Sequence, residues 1–509
     1  MKKILLLLFL ISVSFLNAET HTVTTSADDG DGSLRKIIAD AKAGDSIIFA
    51  SNISEINLTG RDVIIDKDLT IIGNAHSKTT INAGIRRIFY LEGNYNFNIS
   101  NLILTGVTRE LDPPDWRTYG SGGALYLIYG SCTATNCEFT KNNILYGPAV
   151  CVSSGFFIAI NCVFSDNLAG LFIPGSDFRI GGSGGAIYSS GSCIVINCIF
   201  SNNTTLGGGG GAIFTWGSNC IIVNCVFSNN TTTNYGGVID GGHFIAINSI
   251  FTGNTAHRGG VIASNTSYLY HCTFDSNDAK NSGGAIVINA TTGMPQYFEM
   301  FGYNNIFTSN TVAGTLDHIT VNRPYGVNET IIPDGGNNLI EDELSITRNK
   351  IFGENEYNNG VIMPTKFAKT ATRLNAIDIQ TPERLEVEKD SIIKWLSTDL
   401  IDYKRPDWVY VTYGAVEYND EAENNFDVII APNPAEKDFF IVLYNPQEQK
   451  ITIDLVDLEG KIILNIFDEI CPSGWQTYKV DARLLASASY FVRLKIEDKF
   501  FIKKVIVKK

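Results

Sequence analysis

The sequence predicts an all-β protein: a right-handed parallel β-helix (solenoid) with an N-terminal helical cap, followed by a small C-terminal β-sandwich. Two recurring motifs predict the solenoid. A short amphipathic stretch ahead of them predicts the cap, and a late change from repeats to alternating strands predicts the sandwich.

The first motif, N-C-x-F-x-x-N with substitutions allowed, begins at Asn136, Asn161, Asn197, Asn224, Asn248, His271 and Asn304, at spacings of 23 to 36 residues. Each copy keeps a Phe followed three residues later by an Asn: Phe139/Asn142, Phe164/Asn167, Phe200/Asn203, Phe227/Asn230, Phe251/Asn254, Phe274/Asn277 and Phe307/Asn310. The second motif precedes each copy and reads GGAL at 122, GPAV at 147, GGAI at 184 and 210, GGVI at 236 and 259, and GGAI at 283. Two motifs in fixed order at a period of about 20 to 50 residues mark a solenoid. A strand, a turn, a second strand and a turn make one rung of a parallel β-helix, and the longer spacings are rungs with inserted loops.

Period-two alternation sets an expected register. It places Ile194, Ile196, Cys198 and Phe200 inward, with Ile158, Ile160, Cys162 and Phe164 before them and Ile221, Val223, Cys225 and Phe227 after. Gly-Gly marks a turn that needs positive φ or close backbone approach. The Asn of each FxxN lies where the chain must bend, and it tolerates the left-handed backbone conformation. Stacked Asn amides also suit a rung-to-rung hydrogen-bond ladder.

At the start, Lys2 and Lys3, an apolar run from Ile4 to Leu16 and the Leu16-Asn17-Ala18 site read as a secretory signal peptide cleaved after Ala18. The run is too short to span hydrocarbon, so no transmembrane segment is expected after its removal. In 28–49, Leu34, Ile37, Ile38 and Ala41 fall on one helical face; Ser33 can cap the start and Gly44 can end it. A helix there would cover the open edge of the first rung. "LTIIG" (69–73) and "NLILTG" (101–106) read as early rungs.

The GGAI and FxxN elements resemble the repeats of chlamydial polymorphic membrane proteins and their relatives, which are surface β-helices. The stretch 28–49 resembles the cap region of bacterial β-helix proteins with an SLREAI-type motif. "NAIDI" (375–379), "TDLIDYKRP" (398–406) and "YGAVEY" (413–418) resemble that family's closing motifs, with Asp402 where a Gly is usual. "APNPAEKDFFIVLY" (431–444), "ITIDLVDLEGKII" (451–463) and the Lys-rich end resemble the C-terminal sorting domain of type IX secretion. That resemblance implies handling by the type IX machinery through 429–509 and placement on the outer membrane surface or outside the cell. The expected organisation is signal peptide 1–18, β-helix 19–420, linker 421–428 and sorting sandwich 429–509.

A formal charge of −14 argues against a nucleic-acid partner, which needs a basic face. Polysaccharide lyases and hydrolases need clustered carboxylates for acid/base work or calcium. From Ser121 to Asn310 the carboxylates are Glu138, Asp166, Asp177, Asp240, Asp275, Asp278 and Glu299, and none repeats at equivalent positions in adjacent rungs. Asp240 and His243, in Asp-Gly-Gly-His, are weakly similar to the GHG element of polygalacturonases, without its partner Asp motifs. They are the catalytic candidates of a carbohydrate-active alternative, the one reading in which calcium would enter. The bland reading is a solvated strand position.

The outward position after Ala-Ile reads Tyr126, Cys151, Tyr188, Phe214, Asp240, Ala263 and Val287, with Trp216 two residues beyond Phe214. Tyr126, Tyr188, Phe214 and Trp216 either stack on a glycan or protein ligand, or lie under inserted loops. A second outward row, Val163, Ile199, Val226 and Ile250, is apolar and calls for a cover, for which 311–395 is available. Among ten cysteines, Cys193 and Cys220 fall on neighbouring rungs at a separation a disulfide can bridge. The spacing fits no zinc site, and no metal or other cofactor is expected. The sequence thus predicts an exported adhesion or binding scaffold, with a polysaccharide lyase or glycoside hydrolase as the alternative.

Overall fold

A computed structural model describes residues 18–108 except 76, then 121–172, 179–264, 266–289 and 299–322. It also describes short strands between 328 and 362 and most of 427–508. The signal peptide up to residue 17, the closing motifs at 375–418, the linker up to 426, Asp177 and most of 311–395 lie outside the described residues. The chain divides into two compact units, 1–418 and 419–509.

The first unit is a β-helix of three sheets. Its largest sheet has 21 strands, its second 11 and its third 9. Pairing from rung to rung is parallel and in register. Phe139, Phe164, Phe200, Phe227, Phe251, Phe274 and Phe307 are successive partners in the second sheet. The early rungs hold strands Leu69–Ile72 and Leu102–Thr105. The cap is a helix over Leu34–Asp40, with the Ser33 side chain accepting from the Lys36 amide. Leu34, Ile38 and Ala41 are buried against the first rungs. The helix stops at Ala41, whose backbone turns extended, and not at Gly44, which takes positive φ in the turn that follows.

Two corrections concern the corners. The first is the register. The strand Ser192–Ile196 buries Cys193 and Val195 and turns Ile194 and Ile196 outward, the reverse of the expected pattern. Ile158 and Ile160 likewise face out, while Phe157 and Ala159 are buried. The reason is the first Asn of each motif. Asn136, Asn161, Asn197, Asn224, Asn248, His271 and Asn304 all adopt left-handed φ between 48° and 56°. One left-handed residue turns the chain and breaks the alternation, so Cys198 and Phe200 point in although they share parity with Ile194 and Ile196.

The second correction concerns the FxxN bend. The left-handed backbone expected at the Asn of each FxxN is not found at Asn142, Asn167, Asn203, Asn230, Asn254, Asn277 or Asn310. The residue just before each of them carries the positive φ instead: Lys141, Asp166, Asn202, Asn229, Gly253, Ser276 and Ser309. Thus Asp166 turns the chain ahead of Asn167, and Ser276 turns it ahead of Asn277. The bend one residue earlier leaves the Asn side chain directed into the interior, where its amide is used for hydrogen bonding.

All seven ladder residues, Asn142, Asn167, Asn203, Asn230, Asn254, Asn277 and Asn310, are buried. Each Nδ2 donates to the next rung's Oδ1 at 2.8–3.1 Å, from Asn142 to Asn310. Asn167 thus accepts from Asn142 and donates to Asn203, and Asn277 accepts from Asn254 and donates to Asn310. Nδ2 also donates to the Phe carbonyl of the rung before, as Asn230 does to Phe200 at 3.0 Å. The backbone N–H joins Nδ2 on the same Oδ1, as from Asn230 to Asn254 at 2.9 Å. Each amide is thereby satisfied at both ends, which a buried polar group requires. His318 Nδ1 meets the last Nδ2, that of Asn310, at 3.1 Å. Beside this ladder the Phe rings stack with centroids 4.4–5.1 Å apart and planes within 12°.

The cysteines of the motif serve the other bend. Cys162 Sγ accepts the Cys137 amide at 3.4 Å and donates to the Ile160 carbonyl at 3.3 Å. Cys198 and Cys225 repeat the arrangement. Ser249 Oγ takes over the role for the Cys225 amide, and Asn305 Oδ1 for the Cys272 amide. The expected Cys193–Cys220 bridge is absent: the two are register partners and stand as free, buried thiols. The two side chains interact, and that contact, ahead of burial, raises the Cys220 thiol well above its ordinary range.

The second unit is a sandwich. One sheet joins Asp427–Ala431, Asp438–Asn445 and Gly474–Asp481; the other orders Ile462–Cys471, Gln449–Val456, Ala488–Ile496 and Lys499–Val507. Phe439, Ile441, Ile453, Val492 and Val505 belong to its core.

Candidate functional site

The outward row of the largest sheet is the candidate site. Tyr126, Cys151, Tyr188, Phe214, Asp240, Ala263 and Val287 are successive register partners. The Gly-Gly turn makes room for them. Gly210 sits at φ +69, and a Cβ on Gly211 would stand 2.0 Å from the Gly237 carbonyl oxygen of the next rung. The first glycine supplies the left-handed turn and the second the close approach of rungs.

The aromatic groups touch. Tyr188 stacks on Phe214 at 5.2 Å, Phe214 lies 6.1 Å from Trp216, and Tyr146 meets Tyr188 edge-on at 5.4 Å. Trp216 is 70% exposed, the others half-buried. Desolvation raises the Tyr126 and Tyr188 hydroxyls above their ordinary range, so both are neutral donors at physiological pH.

Four more residues, Tyr90, Arg87, Tyr129 and Phe156, lie outside the two repeated motifs. Tyr90 continues the row as the register partner of Tyr126. The buried Arg87 guanidinium lies 4.7 Å from the Tyr126 ring centre while pairing with Asp62 at 3.1 Å. Tyr129 and Phe156 add exposed rings at 57% and 52%. Tyr90 precedes the first GGAL, but Phe89-Tyr90-Leu91 shares the buried–outward–buried pattern of Leu125-Tyr126-Leu127, and that was the available signal.

Asp240 ends the aromatic stretch. Burial pushes its carboxyl up to about 7, opposed only in part by the Gly241 N–H. Its Oδ2 fills the space a side chain on Gly209 would need, 1.5 Å from the position of such a Cβ. Its register neighbours are Phe214 and Ala263, neither of them a carboxylate, and His243 pairs three positions on with Asn219 and Thr266. The row therefore brings one poised carboxyl to an aromatic wall and no register-matched second carboxylate. The other apolar row changes along the axis: Ile199 is 46% exposed, whereas Ile250 is fully buried.

Among the described residues, Glu19, His21 and Asp45 form the one group of three with potential metal-ligand atoms together, within 4.8 Å. Both Asp45 oxygens already accept from protein donors: the Glu19 amide, His21 Nε2 and the Lys42 amide.

These features define a parallel β-helix protein with a separate β-sandwich. Comparison with family models agrees: residues 83–279 match the right handed beta helix region, and 429–508 match the secretion system C-terminal sorting domain. The chain is a right-handed β-helix protein carrying a type IX secretion sorting domain, which points to export and to a surface or extracellular location. No curated protein matches the chain. No helix among the described residues is long and apolar enough to cross a membrane.

Proposed function

We propose that this is a surface-displayed binding scaffold whose outer aromatic row takes a glycan or a surface protein, in the manner of an adhesin. Residues 1–18 direct the chain to the export pathway, 19–420 form the display column, 421–428 link, and 429–509 address it to the type IX machinery. The observation that carries the reading is the touching cluster Tyr188–Phe214–Trp216, with Tyr126 two rungs away on the same outer row beyond Cys151. Rigid aromatic rings on a flat wall suit the apolar faces of sugars or an aromatic-anchored partner, and ordering them costs little entropy. A solenoid holds such a row straight without a catalytic constellation.

A glycan and host-surface array tests it. Wild type gives a saturable hit; Tyr188→Ala with Trp216→Ala loses it while the far-ultraviolet circular dichroism is unchanged. Binding that survives this double substitution, or no saturable hit, overturns the reading. The raised carboxyl of Asp240 favours a second, enzymatic reading. New reducing ends or unsaturated products from a polysaccharide panel, lost in Asp240→Ala, would establish that one instead.

A further inference from the structure

At the first rung, the nitrogen that a signal peptidase would release is already in contact with a buried carboxylate. The Glu19 backbone nitrogen donates to Asp45 Oδ1 at 2.9 Å. Asp45 is 1% exposed, and its other oxygen accepts from His21 Nε2 and from the Lys42 amide, each at 2.8 Å. Burial alone would raise this carboxyl, but the donors from Glu19, His21 and Lys42 together hold it down to about 2, so it is ionised at any working pH. Asp45 sits in the turn that connects the cap helix to Ser46–Phe49, and Ser46–Phe49 pairs with the first strand, Thr20–Val23. One carboxylate thus ties the chain start, the first strand and the end of the cap.

We propose that cleavage after Ala18 converts this hydrogen bond into an ion pair, so that removal of the leader completes the N-terminal cap. The inference rests on the expected cleavage site, and not on any ligand of the aromatic row. Hydrolysis breaks the Ala18–Glu19 amide; water leaves a carboxylate on Ala18 and an amine on Glu19, which takes up a proton at neutral pH. The cation forms on the nitrogen that already faces Asp45 Oδ1. A charge-assisted bond to a desolvated carboxylate is stronger than a neutral amide's.

The other charged groups nearby are engaged elsewhere or lie farther off. Lys42 Nζ is 3.9 Å from the Glu19 side chain. On the next rung, Lys67 Nζ donates to the carbonyls of Ile38, Ala39 and Ala41, and Asp68 accepts from the Asn96 amide. His21 Nε2 holds the other Asp45 oxygen and is present in both chains of the test below.

Two full chains to Lys509, released from a fusion partner, test the proposal: one begins at Glu19, the other at an added Gly before Ala18. The pH dependence of acylation is read on each N-terminal peptide by mass spectrometry. The Glu19 amine should titrate at least one unit above the ordinary α-amino value of about 8, and the extended chain's amine near it. One unit corresponds to about a tenfold gain in the folding equilibrium. Because the folded-state pKa is raised, the gain is present below about pH 8 and is lost as pH rises through the folded value. The melting temperature of the Glu19 chain should therefore exceed the other's at pH 6, and the two should converge at pH 10.

Asp45→Asn should return the amine to its ordinary range. If that variant does not fold, carbamylation of the Glu19 amine with cyanate should lower the melting temperature to that of the extended chain. Equal amine titration or equal melting in the two chains overturns the proposal. So does an exported protein whose first residue, by peptide sequencing, is not Glu19.

Discussion

The same rungs present two columns built on opposite rules. The inner column repeats: Phe on Phe and Asn on Asn, from Phe139 and Asn142 to Phe307 and Asn310. The outer row changes at nearly every step, from Tyr126 through Cys151, Tyr188 and Phe214 to Asp240. The difference teaches where the fold constrains the sequence. An inner amide must match the amide above and below it, because a buried donor left unpaired costs about 1–3 kcal/mol. An outer side chain has solvent, or a partner, on its free side, and repetition brings it no comparable gain.

The comparison breaks most sharply at the stacked rings. Phe227→Ala should destabilise the protein by about 3–5 kcal/mol in urea unfolding, from lost burial and the cavity left between Phe200 and Phe251. Phe214→Ala, one position on the outer row, should cost under about 1 kcal/mol. Similar losses at the two sites would erase the distinction.

The amide ladder comes next. Asn230→Ala removes the acceptor of the Asn203 N–H groups and the donor to the Phe200 carbonyl. The expected cost is about 2–4 kcal/mol, reduced where water reaches the vacated site. Native-state hydrogen exchange should show the loss concentrated at the amides of Asn203 and of the strand Thr231–Thr232.

The smallest effect sharpens the outer side. Asp240 has a raised folded-state pKa, so ionising it opposes folding. Wild-type stability should fall as pH rises from about 4 to about 7 and then level off. Asp240→Asn should match wild type near pH 4 and exceed it by about 1–2 kcal/mol at pH 8, less than the full shift implies because the side chain is partly solvated. No pH-dependent gain would mean that the carboxyl is not desolvated.

Much was legible in the chain. The two motifs and their spacing fixed the solenoid, Ser33 and the Leu34–Ile38–Ala41 face located the cap helix, and alternating strands after 427 marked the sandwich. The outer row was also readable, because it lies a constant distance after each Gly-Gly. The inward register before each corner was not. A single left-handed Asn197 moves burial from Ile194 and Ile196 to Cys193 and Val195, and composition does not reveal backbone handedness. For the same reason the bend beside Asn167 and Asn277 falls one residue earlier than the FxxN pattern implies: Asp166 and Ser276 make the turn. The hydrogen-bonding task of the motif cysteines was hidden in a different way, since the acceptor of the Cys137 amide is Cys162, 25 residues away.

By itself, then, the sequence determined what repeats within a rung, since strand period, turn glycines and helix caps act between residues close in the chain. Tertiary structure alone decided what happens between rungs: which Oδ1 each amide faces, how Gly209 leaves room for Asp240, and which carboxylate receives Glu19. Those partners are separated by 24 to 31 residues, and only stacking the rungs brings them within hydrogen-bond range.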